Sequence, residues 1–302
     1  MTGRLNAVAD PPVAVVTGAA SGIGLAVTRQ LARTHRVALL DINEEAAQQA
    51  AQGLGAAAIA VRCDITDPDS VTAAVQFVID TFGRIDVAVS NAGIGPVGAL
   101  RHLDPSVLAT VLEVNVTGNW RFILACLPHL IDSRGYVLGV ASAAAIFSPP
   151  GEGMYAASKA GLEALLDVLR VEVAHLGVGV GVAYPMFIDT PMVRDADSEH
   201  ADFARTRAQL PGAAGKTHPV SLAAERIVRG IERRQRRVFV PRSLGVQYRL
   251  RGLLSGLLDR KLAPIATEVD DITARKVATR GAVAGGWTAA ALKSQPRKRD
   301  TA

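Results

Sequence analysis

Tyr155 and Lys159 stand four residues apart, a spacing that puts both side chains on one face of a helix. A phenol titrates near 10, too high to act as a base at neutral pH. An ammonium beside it stabilises the phenolate, so this pair could pass a proton to or from a substrate oxygen. Ser142 follows the apolar run Tyr136–Val140, and its hydroxyl could hold that oxygen beside Tyr155.

A second constellation lies near the N-terminus. Thr17-Gly18-Ala19-Ala20-Ser21-Gly22-Ile23-Gly24 joins the apolar run Val13–Val16 to the helical stretch Ile23–Ala32. Glycines there let the chain turn tightly and let a pyrophosphate approach backbone N–H groups, beside the positive end of the helix. Asp41 ends the next apolar run, Arg36–Leu40, 23 residues beyond Gly18. A carboxylate at that point accepts hydrogen bonds from ribose hydroxyls and repels a 2′-phosphate. Neither Ser21, Ile42 nor Asn43 supplies a cation for that phosphate, which favours NAD over NADP. No Cys or His pair has metal-ligand spacing, so no metal site is expected. Cys63 and Cys126 read as buried free thiols in a reducing, cytoplasmic setting.

These residues need elements to position them. Further apolar runs at Ala57–Arg62, Val87–Ser90, Val178–Ala183 and Val238–Val240 bring the expected strands to seven. Helices are expected at Asn43–Gln52, up to Phe82 from a capping box at Thr66 and Asp69, over about Pro105–Ile131, over about Gly153–His175 and near Leu222–Arg233. Strands alternating with helices of that length imply an α/β fold, a doubly wound parallel sheet of the Rossmann type. Met192–Pro219 is polar, irregular and long for a connection, and reads as a lid.

The chain resembles the classical short-chain dehydrogenase/reductase family over about residues 10–242. The family's TGxxxGxG turn matches Thr17–Gly24, and its NNAG segment resembles Ser90-Asn91-Ala92-Gly93, with Ser in place of the first Asn. Its Asn–Ser–Tyr–Lys tetrad maps onto Asn115, Ser142, Tyr155 and Lys159, at intervals of 27, 13 and 4 residues. Its Asp beside adenine maps onto Asp64, followed by Ile65. The resemblance implies cofactor contacts from Gly18, Ser21, Gly22, Ile23, Gly24, Asp41, Asp64, Ile65, Asn91, Ala92, Gly93, Tyr155, Lys159, Pro185, Ile188 and Thr190. It implies that Tyr155 exchanges the proton, that Lys159 lowers the Tyr155 pKa and holds the nicotinamide ribose, and that Ser142 positions the carbonyl. Asn115 is expected to hold a water linking Lys159 to solvent. One motif departs: Met186 replaces the family's Gly after Pro185. A Met does not take positive φ cheaply, so the backbone there is expected to differ or Met186 to enter the substrate pocket.

The expected function is therefore an NAD(H)-dependent oxidoreductase moving a hydride between the nicotinamide and a secondary alcohol or ketone. An NADPH-dependent ketoacyl-type reductase is the alternative, opposed by Asp41. A non-catalytic cofactor-binding regulator is the other class, opposed by the intact tetrad. The apolar loop Ala143–Met154, with Glu152 as its only charge, points to a hydrophobic alcohol or ketone as the small-molecule substrate. His200 and His218, in or beside the lid, are given no role. The helices carrying Asn115 and Tyr155 imply, by resemblance, a homodimer or homotetramer.

The 302-residue chain has a net charge of +5, unevenly spread. Arg226–Lys261 carries eleven basic residues against Glu232 and Asp259, so the remainder is net acidic. Met1–Pro12 lacks the pattern of a secretory signal, and Leu176–Ile188 is too short and Gly-rich to span a bilayer. Residues 243–302 read as a C-terminal extension. Val246, Leu250, Leu253, Leu254 and Leu257 form one stripe of a helix expected from Ser243 to about Ala263, with a disordered tail from about Lys293. With Arg233, Arg234, Arg236 and Arg237 just before it, this helix could make peripheral membrane contact, but burial of the Leu face against protein is favoured. No aromatic platform accompanies the arginines, so nucleic acid is not an expected partner.

Overall fold

The computed structural model describes residues 10–199, 201–208, 210 and 215–280. Seven strands form one parallel sheet: β1 (Val13–Thr17), β2 (Arg36–Asp41), β3 (Ala58–Arg62), β4 (Val87–Ser90), β5 (Tyr136–Val140), β6 (Gly179–Pro185) and β7 (Arg237–Val240). Their order is β3-β2-β1-β4-β5-β6-β7. β1, β4 and β5 are buried along their whole length, which is why they read as unbroken apolar runs. The order reverses at β1, which pairs with β2 on one side and β4 on the other. A doubly wound sheet opens its ligand crevice at that point, beyond the carboxyl ends of the strands.

The helices are α1 (Gly22–Leu31), α2 (Glu44–Gln52), α3 (Pro68–Phe82), α4 (Pro105–Leu112), α5 (Asn119–Ser133), α6 (Ala144–Phe147), α7 (Gly153–Glu172), α8 (Pro191–Glu199), α9 (Ala201–Ala208), α10 (Val220–Glu232) and α11 (Leu244–Arg280). Two apolar clusters cover the two faces of the sheet. One centres on Phe122, Ile123, Leu162 and Leu166, the other on Val27, Leu31, Ile227 and Ile231. No helix of the described residues is long and apolar enough to cross a membrane.

Four expectations about local structure are corrected or refined. α3 is capped by Asp67, whose carboxylate accepts from the N–H groups of Asp69 and Ser70, with Pro68 in the first turn. Thr66 instead donates its hydroxyl to Asp64. The helix from Pro105 runs unbroken to Ser133, but within it Glu113–Gly118 winds as a π turn between α4 and α5. The segment expected to be irregular is helical over α8 and α9, where Arg207 pairs with Asp197 at 2.7 Å and Arg205 reaches Glu268 of α11 at 2.7 Å.

The fourth concerns α11, which runs to Arg280 rather than ending near Ala263 and docks on its own domain through Leu244 and Tyr248 rather than through Val246, Leu250 and Leu253. Leu244, Ile265, Val269 and Ile272 are buried, while Val246, Leu250 and Leu253 stay 60%, 40% and 84% exposed. Tyr248 decides this. Its ring joins Tyr184 and Phe239, and its hydroxyl donates to Glu163 at 3.0 Å. The side chains of Leu254 and Leu257 and the tail from Lys293 lie outside the described residues. The arginines before α11 are also partly committed. Arg234 donates to the carbonyls of Arg134, Gly135 and Gly177, and Arg237 pairs with Asp167 at 2.7 Å.

Candidate active site

The glycine-rich turn leaves β1 and enters α1 with Gly18 at φ +63° and Gly22 at φ +53°. Gly24 sits so close to the turn that a Cβ would lie 2.1 Å from the Gly18 carbonyl oxygen. Thr17 stitches the turn to the end of β4, its hydroxyl accepting from the N–H groups of Asn91 and Ala92. Asn91 returns two hydrogen bonds, to the carbonyls of Thr17 and Gly18. Asp41, ending β2, accepts from Ala20 N–H at 2.9 Å and Asn43 N–H at 3.0 Å. The acidic side chain is thus fixed at the rim of the turn.

A groove of about 640 Å³ runs across the carboxyl ends of these strands. It is lined by Gly18, Ser21, Gly22, Ile23, Asp41, Asp64, Ile65, Asn91, Ala92, Gly93, Tyr155, Lys159, Pro185 and Thr190. Two residues expected among these contacts are elsewhere. Gly24 packs beneath the turn, and Ile188 lines the neighbouring pocket. Ile42, Asn43, Cys63, Val114, Met192 and Asp195 also line the groove. None of these was expected as a cofactor contact, because they sit beside the expected positions and belong to no local motif. The dimensions, the glycines that a side chain would crowd and the rim carboxylate all fit a dinucleotide.

Asn115, Ser142, Tyr155 and Lys159 are brought together at one end of this groove. α7 carries Tyr155 and Lys159 one turn apart, with the Lys159 ammonium 5.7 Å from the Tyr155 ring centre and 3.0 Å from the Val140 carbonyl oxygen. Ser142 follows the end of β5 and lines the same cavity as Tyr155, its hydroxyl accepting from Ala144 N–H at 3.1 Å. Asn115 sits in the π turn and is fully buried. Its oxygen accepts from Ile94 N–H at 2.8 Å, and its nitrogen donates to the Ile94 carbonyl at 2.8 Å and the Ser158 hydroxyl at 2.9 Å. Asn119 holds the same corner, donating to the carbonyls of Ala92 and Val114. Gly93 leaves room for the site: a Cβ there would come 3.1 Å from the Lys159 nitrogen.

Burial dominates the electrostatics. It pushes the Tyr155 phenol above its ordinary 10, and the nearby Ser142 hydroxyl opposes this only in part. It pushes Lys159 down from 10.5 to about 8. Desolvation is the largest influence on both groups.

Beyond Tyr155 the groove opens into a second cavity of about 260 Å³. Its walls are apolar: Val97, Ala143, Phe147, Met186, Ile188, Val193 and Leu210 among them. α8 contributes Met192, Val193 and Ala196, and α11 contributes Gln247 and Leu262. Glu152, at the start of α7, is the one charged residue in this lining among the described residues. Burial raises its carboxyl from 4.5 to about 7. Met186 does enter this pocket, and its backbone avoids positive φ. The strain moves to Phe187, at φ 40°, whose ring lies 5.1 Å from the Arg207 guanidinium. Of the lid histidines, His218 makes a parallel bridge to Ile188, and His200 lies outside the described residues.

The family model for short chain dehydrogenases matches residues 12–201. The chain belongs to this family of oxidoreductases. It is similar to 2-(R)-hydroxypropyl-CoM dehydrogenase of Xanthobacter autotrophicus, 37% identical over 191 residues, covering 60% of this chain and 76% of the relative. It is also similar to the 3-oxoacyl-[acyl-carrier-protein] reductase of Thermotoga maritima, 33% identical over 214 residues, covering 69% and 87%. Among solved structures, a short chain dehydrogenase/reductase from Burkholderia phymatum in complex with NAD superposes with a TM-score of 0.72 at 26% identity, covering 82% of this chain and 95% of that one.

Proposed function

We propose that this chain is an NAD(H)-dependent oxidoreductase that interconverts a lipophilic secondary alcohol and its ketone. The observation that carries the reading is the meeting point at Tyr155 and Ser142. There a polar groove edged by Asp41 opens into an apolar cavity. The nicotinamide, when bound, supplies or accepts the hydride. Ser142 holds the substrate oxygen. Tyr155 gives a proton to that oxygen in reduction, for which the neutral phenol favoured by burial is the required form, and takes one in oxidation. Lys159 holds the nicotinamide ribose, and its positive charge eases the loss of the proton. Asn115 keeps the segment around Ile94 in place behind them.

Asp41 supports NAD over NADP, since its carboxylate already stands at the rim where a 2′-phosphate would lie. The reading extends to assembly and setting. Exposed Leu124 on α5, with Val168 and Val171 on α7, supports a homodimer or homotetramer through those helices. Buried Cys63 and Cys126, both free, fit a reducing cytoplasm. We assign residues 10–242 to the catalytic domain and 243–302 to the extension.

The test is a panel of medium-chain secondary alcohols with NAD and NADP, following reduced cofactor by absorbance. Turnover with NAD is expected to exceed that with NADP by roughly tenfold or more in kcat/KM, the equivalent of about 1.4 kcal/mol of discrimination. Replacing Asp41 by Ala and Ile42 by Arg should reverse the preference, because a guanidinium pairs with the 2′-phosphate. Tighter binding of NADPH than of NADH by the unaltered chain would remove the cofactor assignment.

A further inference from the structure

α11 has two working faces. Tyr248 and Leu244 dock it on the domain, and Gln247 and Leu262 reach the apolar cavity beside Tyr155. Directly opposite the docked face stand Val246, Leu250 and Leu253, all exposed. Residues at intervals of three, four and seven share one side of a helix, so these three form a single outward ridge.

The ridge is edged with positive charge. Arg249 lies three residues after Val246, Arg260 seven after Leu253 and Lys261 eleven after Leu250, so all three flank the same side, and all are exposed. Asp259 is the only acid from Arg242 to Leu262. Arg251, by contrast, turns inward, its guanidinium 4.6 Å from the Tyr248 ring centre. Just before the helix Arg242 has Arg226 as a charged neighbour, with Arg229 close by, so the helix begins beside further cations.

We propose that this ridge docks the enzyme on an anionic lipid bilayer, with α11 lying along the membrane surface and the mouth of the substrate cavity beside it. The charge pattern selects this occupant over a second copy of the chain. A second copy seated on the ridge would add its own cations to Arg249, Arg260 and Lys261, with Asp259 the one acid of this stretch to offset them, whereas anionic headgroups neutralise them and the acyl region takes the three apolar side chains. α11 does not have the apolar length to span, so the association is peripheral. The proposal rests on the lipophilic-substrate reading only for its purpose. A ridge and a cavity on one helix would let a substrate dissolved in the bilayer pass directly to Ser142 and Tyr155.

The test uses the full-length chain and sedimentation with vesicles, a readout independent of catalysis. Vesicles of phosphatidylcholine containing about one third phosphatidylserine should carry the protein down. Pure phosphatidylcholine should not, and molar salt should release it. Leu250→Gln with Leu253→Gln should weaken partitioning at least about tenfold. Arg249→Gln with Lys261→Gln should weaken it about thirtyfold, from two lost basic contacts. Both variants should keep NADH binding and the wild-type melting temperature and oligomer mass. Absence of phosphatidylserine-dependent sedimentation in folded, NADH-binding protein would overturn the proposal. So would a change of oligomer mass in the Leu250/Leu253 variant, which would show that a second copy covers the ridge.

Discussion

Replacing Lys159 with Met should make the cofactor-free protein more stable at neutral pH while destroying its activity. Lys159 is 3% exposed, and burial holds its pKa at about 8 against 10.5 for the free side chain. At pH 7 the ammonium is therefore kept in the fold at a cost of about 3 kcal/mol, each tenfold being worth about 1.4. A Met of similar shape removes that cost and forfeits the hydrogen bond to the Val140 carbonyl, worth about 1 kcal/mol. The net gain is about 2 kcal/mol. The folded-state pKa lies below the unfolded one, so between about pH 8 and 10.5 the unfolded chain binds more protons, and the native protein's own penalty fades as pH rises. The advantage of the variant should thus be full at pH 7 and below, smaller at pH 9 and gone by about 10.5. Urea unfolding of both proteins at several pH values measures it as a difference, which cancels the opposing titration of Cys63, whose thiol burial raises to about 12. A variant less stable than wild type at pH 7, or an advantage that does not change with pH, would refute the claim that the site strains against a buried ammonium.

Gly24→Ala should abolish NADH binding or raise its Kd by orders of magnitude, read by fluorescence titration, because the new Cβ collides with the Gly18 carbonyl under the phosphate-binding turn. Wild-type affinity would show that the turn yields. Glu152→Gln should lower KM for an apolar ketone above pH 7 and flatten its pH dependence. The carboxyl of Glu152, at about 7, is neutral below that pH and charged above it, and a charge in the apolar wall disfavours such a substrate. An unchanged KM profile would place Glu152 outside the substrate's reach. Its raised pKa also means that stability contributed by the neutral form falls between about pH 4.5 and 7 and that the Gln variant lacks this slope.

The sheet was legible in the sequence because β1, β4 and β5 are buried on both faces and appear as short apolar runs between turn residues. The candidate site was legible where residues act locally. The glycines of the first turn and the Tyr155–Lys159 spacing each encode a geometry within eight residues. Other features depend on partners far along the chain. The π turn at Glu113–Gly118 leaves the 3.6-residue apolar pattern almost undisturbed, and it forms where Asn115 and Asn119 satisfy backbone groups around Ala92 and Ile94. Polar α8 and α9 have no apolar stripe to announce them. They are held by Met192 and Val193 at the cavity and by Arg205 on Glu268. The face by which α11 docks on its own domain was not legible in its leucines, because one aromatic residue, Tyr248, has a slot and a hydrogen-bond acceptor on the domain. Spacing shows that two groups are neighbours but not how deeply both are buried.

The central claim is that the Tyr155 phenol carries the proton. Tyr155→Phe keeps the ring between groove and cavity and removes only the hydroxyl. With the best alcohol found using NAD, the variant should lose roughly 10²-fold or more in kcat while NADH binds within about threefold of wild type. A Phe variant that keeps more than about a tenth of the wild-type kcat would contradict the account.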